Sequence, residues 1–285
     1  MVLLGDGSII NCLLQTRSLS LLVCRVTGTR AIDRIILNNA STLRILEIAG
    51  DLPFDEFVVY RNLRQLTCPS IDERAITACP VLRKLNLTCQ ESVFELMNPV
   101  TMQELKCRVI SLNNHTGVPD LVSGLSKLIN LRKLDLTIGC TDWSDPCHSL
   151  RHLFDTFTQL NEVRLNLGNE EVCLDVAVAA LARHNPGLQL LHLKGITLTD
   201  DALISLSRLT NLMRLVLDTE EAVFSMDAIL TLLRGGSRTR FQKWSIWHQP
   251  ETDWAVVESE IQLMGQESGR TLRVRKGGDW IRFKY

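Results

Sequence analysis

The sequence predicts an α/β solenoid, with short parallel strands in an inner sheet and helices returning along the outside. Two observations lead to this prediction. One short phrase recurs in order along the chain, and apolar and polar residues alternate within it. The clearest pair is ACPVLRKLNL at residues 78–87 and NLRKLDL at residues 130–136, whose matching leucines lie 49 residues apart.

The repeated phrase has the form L-x-x-L-x-L, with an apolar residue or Cys at each of three anchor positions. Ten copies occur in order, separated by steps of 24, 20, 19, 20, 29, 29, 28, 24 and 29 residues. Periods of about 20 to 29 residues around this core are typical of leucine-rich repeats, so we predict a leucine-rich repeat horseshoe of about ten repeats. The first anchors are Leu19, Leu43, Leu63, Leu82, Met102, Leu131, Leu160, Leu188, Leu212 and Phe241.

The spacing of the anchors explains the predicted strands. The second and third anchors are two residues apart, so their side chains lie on one side of a strand and the polar residues lie on the other. Each strand is too short to bury its own apolar side, so successive copies must stack and share one core. Parallel strands need a connection that runs back outside the sheet, and the longer steps leave room for a helix there.

Several return segments show helix signals. Residues 70–73, SIDE, have the spacing of a capping box, and Thr199 with two aspartates precedes the apolar periodicity of residues 202–209. Residues 172–183 are apolar enough for a well-buried helix that ends before Asn-Pro-Gly. Residues 225–234 open with Ser and end at a Gly pair. We predict a helix in each of these four connections.

The array of about ten repeats is assigned to residues 1–249, and residues 250–285 to a C-terminal repeat or cap. This cap contains a hairpin around Gly277-Gly278, because residues alternate on both sides of the glycine pair. Residues 8–14 have the pattern of a repeat's helix whose strand is only MVLL. We therefore expect a further segment upstream of Met1, since arrays need capping units.

Composition narrows the class of protein. The formal net charge is −1, which gives no global field to attract nucleic acid or an acidic membrane. No apolar run reaches the roughly 18 residues that a membrane span requires. The nine cysteines are an odd number and form no C-x-x-C pair, which fits free thiols in a reducing cytoplasm or nucleus.

No motif for catalysis or cofactor binding is present. The sequence has no GxxxxGK[ST], GxGxxG, HExxH or GxSxG pattern, so we predict no enzyme, no catalytic residue and no cofactor. Cys140, Cys147, His148 and His152 suggest a zinc site, with the two histidines at i and i+4. A second close cysteine pair is missing and the segment also fits a surface helix, so we predict no metal site.

The best candidate site is the concave face of the predicted sheet. At the third, fifth and seventh positions of each copy, side chains point away from the core. These positions carry mixed charges, which a protein partner could contact but which a merely solvated face would also show. The candidate partner-binding residues are Lys84, Lys106, Arg108, Lys133, Asp135, Arg164, His192, Lys194, Arg214, Asp218 and Trp247.

A second candidate is a basic, Trp-rich C-terminal region. Residues 270–285 carry six basic side chains against one acid, and the basic C-terminal patch is assigned to Arg273, Arg275 and Arg282. Trp and Arg are favoured interface anchors, and Trp247 is the best single candidate because it occupies an outward position. The alternative is that Trp247 packs with Trp254 and Trp280 as an end cap.

Two stretches resemble a known family. ACPVLRKLNL resembles the C-P-x-L-x-x-L-x-L junction of cysteine-containing leucine-rich repeats, and residues 188–217 resemble a full repeat with a T-D-x-x-L helix start. Such repeats are typical of the substrate-binding arms of F-box proteins, which are subunits of cullin-type ubiquitin ligases. No segment of this chain reads as an F-box.

The resemblance implies non-catalytic protein recognition, with the chain recruiting substrates to an F-box-type ubiquitin ligase. A Skp1-type adaptor would be a partner only if an F-box lies upstream. Two alternatives stay open: a free-standing binding or inhibitory horseshoe similar to ribonuclease inhibitor, and the sensor fragment of a larger receptor. In each case we expect a monomer in the cytoplasm or nucleus, with a protein partner, no membrane and no nucleic acid.

Overall fold

The computed structural model describes residues 2–3, 14–24, 30–53, 58–71, 73–88, 97–109, 117–139, 145–168, 172–218, 224–235, 243–247, 259, 273–277 and 280–284. The chain forms two compact units, Met1–Leu131 and Arg132–Tyr285. Each unit contains strands that follow one another along the chain, with helices between some of them.

The first unit contains six strands: β1 (Val2–Leu3), β2 (Leu21–Cys24), β3 (Ile45–Ile48), β4 (Gln65–Cys68), β5 (Lys84–Thr88) and β6 (Glu104–Val109). Each strand pairs in parallel with the next one along the chain. Its helices are α1 (Arg30–Asn38), α2 (Glu73–Thr77) and α3 (Gly117–Ser126).

The second unit begins with five parallel strands in chain order: β7 (Lys133–Ile138), β8 (Glu162–Asn166), β9 (Leu190–Lys194), β10 (Arg214–Asp218) and β11 (Lys243–Trp247). The order then reverses. β13 (Trp280–Lys284) runs antiparallel beside β11, and β12 (Arg273–Gly277) runs antiparallel beside β13. The helices of this unit are α4 (Pro146–Thr156), α5 (Asp175–His184), α6 (Asp200–Leu206) and α7 (Met226–Gly235).

The predicted fold class is confirmed. Each of the ten copies of the repeated phrase supplies one strand, from β2 to β11. In the first unit the second anchors Leu46, Leu66 and Leu85 are partners in register. The chain is therefore an α/β leucine-rich repeat solenoid. The boundary between residues 249 and 250 stays a prediction, and the predicted helix at residues 8–14 lies outside the described residues except for Leu14.

The core is made of the anchors and of one face of each helix. Leu46 and Leu66 are fully buried, and the cysteines at third anchors, Cys24, Cys68 and Cys107, are buried beside them. Burial raises the pKa of the Cys68 thiol to about 12, and the nearby Asp51 carboxylate adds to this effect. These cysteines therefore act as small apolar residues of the core.

Within each unit, a single backbone carbonyl accepts two hydrogen bonds from the next repeat at several junctions. The Arg132 carbonyl accepts hydrogen bonds from the amides of Asn161 and Glu162, at 2.7 and 3.1 Å. The Asn161 carbonyl in turn accepts from Gln189 and Leu190, at 2.8 and 3.1 Å. The same pattern of one acceptor and two successive donors recurs in the first unit, beginning at the Ser20 carbonyl.

Two buried asparagines hold the turns that lead into a repeat. Asn185 is 1% exposed; its Nδ2 donates to the Phe157 carbonyl at 2.8 Å, and its Oδ1 accepts from the Leu160 amide at 2.9 Å. Asn39 is fully buried and makes three comparable bonds in the first unit. Both asparagines replace hydrogen bonds that the buried turns could not obtain from water.

The helices begin close to the predicted positions, with two differences. α2 begins at Glu73 and not directly after Ser70, whose hydroxyl donates a hydrogen bond to the Asp51 carboxylate. Thr199 caps α6 by accepting from the Asp201 amide at 3.4 Å, and Ser225 accepts from the Ala228 amide at 3.2 Å. The helix predicted at residues 172–183 begins only at Asp175 and ends at His184. Its predicted start fails because Cys173 instead forms a parallel bridge with Thr197 of the next repeat.

Candidate partner-binding face

The solvent face of the sheet is formed by the strand residues that alternate with the buried anchors. In the second unit these residues lie in three rows, where a row is a set of partners in register on neighbouring strands. The first row is Lys133, Glu162, Leu190 and Arg214. The second row is Asp135, Arg164, His192 and Val216. The third row is Thr137, Asn166, Lys194 and Asp218.

The first unit has its own solvent face, which carries three of the predicted site residues. Lys84 on β5 forms an ion pair with Glu104 on β6, with Nζ and Oε2 3.0 Å apart. Lys106 and Arg108 are exposed on β6. These residues lie where the sequence predicts them, and their role in binding stays a prediction.

Ion pairs join neighbouring strands across the second unit's face. Lys133 pairs with Glu162 at 3.0 Å, and Lys194 pairs with Asp218 at 3.2 Å. In both cases the two residues are partners in register on adjacent strands. Exposed pairs of this kind stabilise a fold by less than about 1 kcal/mol, so they are not needed for stability. They do neutralise four of the charges on the face.

Two arginines of the face have no such compensation. Arg164 on β8 and Arg214 on β10 are exposed, and no ion pair or hydrogen bond of either guanidinium is found within the part of the chain that the structure describes. A guanidinium offers five N–H donors in a planar fork that fits a carboxylate or phosphate. These two side chains are therefore available to a partner.

His192 lies between the two arginines and is about half buried. Burial lowers its pKa below the usual value of 6.5. The Asp218 carboxylate opposes this shift, while Arg164, Arg214 and Lys194 add to it. The imidazole is thus neutral at pH 7, and the centre of the second row is uncharged.

Two apolar side chains on this face were not among the predicted site residues. Leu190 lies beside Arg214 in the first row, and Val216 lies beside His192 in the second; both are partly exposed. Their positions could have revealed them, because Leu190 is the third and Val216 the fifth residue of its copy. An apolar residue on the outward side of a strand does not serve the core and can instead be covered by a partner.

The predicted C-terminal patch lies on the strands that follow β11. Arg282 on β13 is the partner of Ser245 on one side and of Arg275 on β12 on the other. Arg273 is the partner of Lys284. Trp247 is paired in register with Trp280. This pairing is compatible with both interpretations of Trp247, as a binding anchor or as part of a cap.

The segment that suggested zinc is a surface helix. Cys147, His148 and His152 lie on α4, where Asp145 caps the helix by accepting from the His148 amide at 2.9 Å. Cys140 lies outside the described residues. Within the described ranges, no group of three or more His, Cys, Asp or Glu residues could hold a metal ion. Among those same residues, no helix has both the length and the hydropathy to cross a membrane.

The chain was compared with protein-family models, curated proteins and solved structures, and only solved structures match. Neither a protein-family model nor a curated protein matches the sequence. Among solved structures, the chain is similar to the crystal structure of an internalin (inlF) from Listeria monocytogenes, with 17% sequence identity and a TM-score of 0.48. The match covers 82% of this chain and 77% of the internalin chain. The fold assignment rests on the strand pairing and repeat spacing described above.

Proposed function

We propose that this chain is a non-catalytic protein-recognition scaffold whose partner binds the solvent face of the sheet. The observation that carries the proposal is the second unit's face, where Arg164 and Arg214 flank His192 among partly exposed apolar residues. Arginine is enriched at the energetically dominant positions of protein interfaces. The core requires none of these side chains, because the anchors between them are already buried.

The family resemblance gives this scaffold a more specific role. We infer that it is the substrate-recruiting arm of an F-box-type ubiquitin ligase in the cytoplasm or nucleus, acting as a monomer. Two features of the structure support the inference. Cys79 of the C-P junction is buried, and its thiol donates a hydrogen bond to the Ala75 carbonyl at 3.3 Å. Pro80 lies exposed in the turn. Thr199 and Asp200 start α6 as the resemblance implies.

Purification of complexes tests the ligase role. The protein encoded by the full-length transcript is purified by an affinity tag, and the eluate is probed for a Skp1-type adaptor and a cullin. Co-purification of both is expected. Their absence would refute the ligase role and favour a free-standing binder similar to ribonuclease inhibitor or a receptor's sensor fragment. Protein recognition by the face would be unaffected by that outcome.

Charge reversal tests recognition by the face itself. In the variant Arg164→Glu/Arg214→Glu, proteins recovered with the wild type should be lost. The matched control is Arg183→Glu/Arg208→Glu, which makes the same charge change at exposed positions outside the strands. Far-ultraviolet circular dichroism verifies that both variants are folded. If the two variants recover the same proteins as the wild type, the assignment of this face is wrong.

A further inference from the structure

The basic C-terminal patch and the solvent face of the second unit share the same rows. From Arg214, the first row continues through Lys243 on β11 and Lys284 on β13 to Arg273 on β12. From Val216, the second row continues through Ser245 and Arg282 to Arg275. The antiparallel return of β13 and β12 thus adds their arginines to the rows that contain Arg164 and Arg214.

The extended rows concentrate positive charge. From β8 to β12 the three rows together hold eight basic residues and two acidic ones, a net charge of +6, whereas the whole chain has a net charge of −1. Both acidic residues already form ion pairs with lysines. The basic residues are Arg164, Lys194, Arg214, Lys243, Arg273, Arg275, Arg282 and Lys284.

We propose that the partner presents an extended acidic polypeptide segment that lies across β8, β9, β10, β11, β13 and β12. This inference rests on the proposed function and specifies the partner's chemistry. The six strands span five spacings of about 4.8 Å, or about 24 Å. An extended segment covers about 3.3 Å per residue, so about seven or eight residues cross the face.

The spacing of the two arginines sets the pattern of acids in that segment. Arg164 and Arg214 are two strands and two residues apart, which places their Cα atoms about 12 Å from each other. Carboxylates on residues i and i+4 of an extended segment lie about 13 Å apart on the same side. Each can then form a bidentate pair with one guanidinium, the strongest type of charged hydrogen bond.

The centre of the face favours a polypeptide over a nucleic acid. Leu190 and His192 lie on β9, between the strands that carry the two arginines, and Val216 lies beside His192 on β10. The two apolar side chains are partly exposed, and the imidazole is neutral at pH 7. A segment with an apolar side chain between two acids covers this centre. A phosphate chain carries a charge on every nucleotide and would bring some of these charges against the apolar side chains of Leu190 and Val216.

Selection from a random peptide library tests this proposal. Full-length protein is used to select binders from a library of peptides of about ten residues, long enough to cross the face. We expect selected peptides to be enriched in Asp and Glu, with pairs at i and i+4. Their affinity should fall at least about tenfold for Arg164→Glu/Arg214→Glu and by less than about twofold for Arg183→Glu/Arg208→Glu.

Each other result argues against the proposal in a recognisable way. Neutral or basic peptides that still depend on Arg164 and Arg214 would refute the acidic partner and leave recognition by the face intact. Acidic peptides that bind all variants equally, or a library that yields no binder, would refute both. Tighter binding of a single-stranded polyuridine than of the selected peptides, lost in Arg164→Glu/Arg214→Glu, would reassign the basic rows to nucleic acid.

Discussion

Replacing Asn185 by alanine should destabilise the second unit far more than replacing an exposed asparagine that also links two repeats. The Asn185 side chain is 1% exposed and makes its two hydrogen bonds to the backbone of the turn at residues 157–160. Alanine leaves the Leu160 amide and the Phe157 carbonyl without these partners. Each unsatisfied buried group costs about 1–3 kcal/mol, so losing both hydrogen bonds should lower the free energy of unfolding by about 2–6 kcal/mol.

Asn211 provides the matched control. Its Nδ2 donates to the Pro186 carbonyl at 3.0 Å, which also joins one repeat to the previous one, but the bond is exposed. Water replaces that bond in Asn211→Ala, so its loss should be below about 1 kcal/mol.

Urea unfolding of the full chain, followed by circular dichroism, measures both variants. If unfolding has more than one transition, the midpoint of the one that shifts in Asn185→Ala is compared between the variants. Equal shifts of the unfolding midpoint for Asn185→Ala and Asn211→Ala would refute this prediction. They would show that burial of these hydrogen bonds does not determine how much each one contributes to the free energy of unfolding.

Three further predictions concern backbone strain, thiol reactivity and pH. Gly195 has φ +63°, and a Cβ there would lie 2.9 Å from a backbone nitrogen of the neighbouring repeat. Gly195→Ala should therefore lower the free energy of unfolding in urea by at least about 2 kcal/mol. The control Gly187→Ala, where a Cβ meets nothing within 4 Å, should lower it by less than about 1 kcal/mol. Burial raises the pKa values of Cys68 and Cys79 to about 12. Peptide mass spectrometry should therefore show that iodoacetamide alkylates both thiols at least about a hundredfold more slowly in the folded protein at neutral pH than in the protein unfolded by urea. Equal rates would contradict their burial. The pKa of His192 is lowered in the folded state, so the unfolded chain takes up a proton at this residue at a higher pH than the folded chain does. The free energy of unfolding should therefore fall as the pH drops below about 6.5. His192→Asn should lose this part of the pH dependence of stability, and an unchanged pH dependence would contradict the prediction.

The sequence predicts the fold well because the repeat imposes one local rule many times. Each copy has apolar anchors at fixed spacing, and the second anchors Leu22, Leu46, Leu66 and Leu85 therefore become partners in register. A weak copy, such as the one that begins at Met102, still forms a strand that pairs in register with the preceding strand β5. The periodicity is read from the chain alone and needs no knowledge of distant contacts.

The face is less predictable because its properties depend on pairs of strands. The ion pair between Lys194 and Asp218 requires the register of β9 and β10, which sequence spacing does not state. The predicted start of α5 is wrong for a similar reason, since the bridge between Cys173 and Thr197 joins residues of two different repeats. The shared rows of Arg164 and Arg275 depend on β13 running antiparallel to β11, which residue patterns do not specify.

The carbonyl that accepts two successive amides from the next repeat makes the repeats interchangeable at their junctions. Removing residues 64–82 would bring Arg83 to the place of Arg64, and the Arg44 carbonyl would then meet the amides of Arg83 and Lys84 instead of those of Arg64 and Gln65. In both cases the donors are two successive backbone amides, and the acceptor is one backbone carbonyl at the equivalent position of the preceding repeat. The array can therefore be shortened or lengthened by whole repeats during evolution or protein engineering, while the binding residues carried by the remaining strands are preserved.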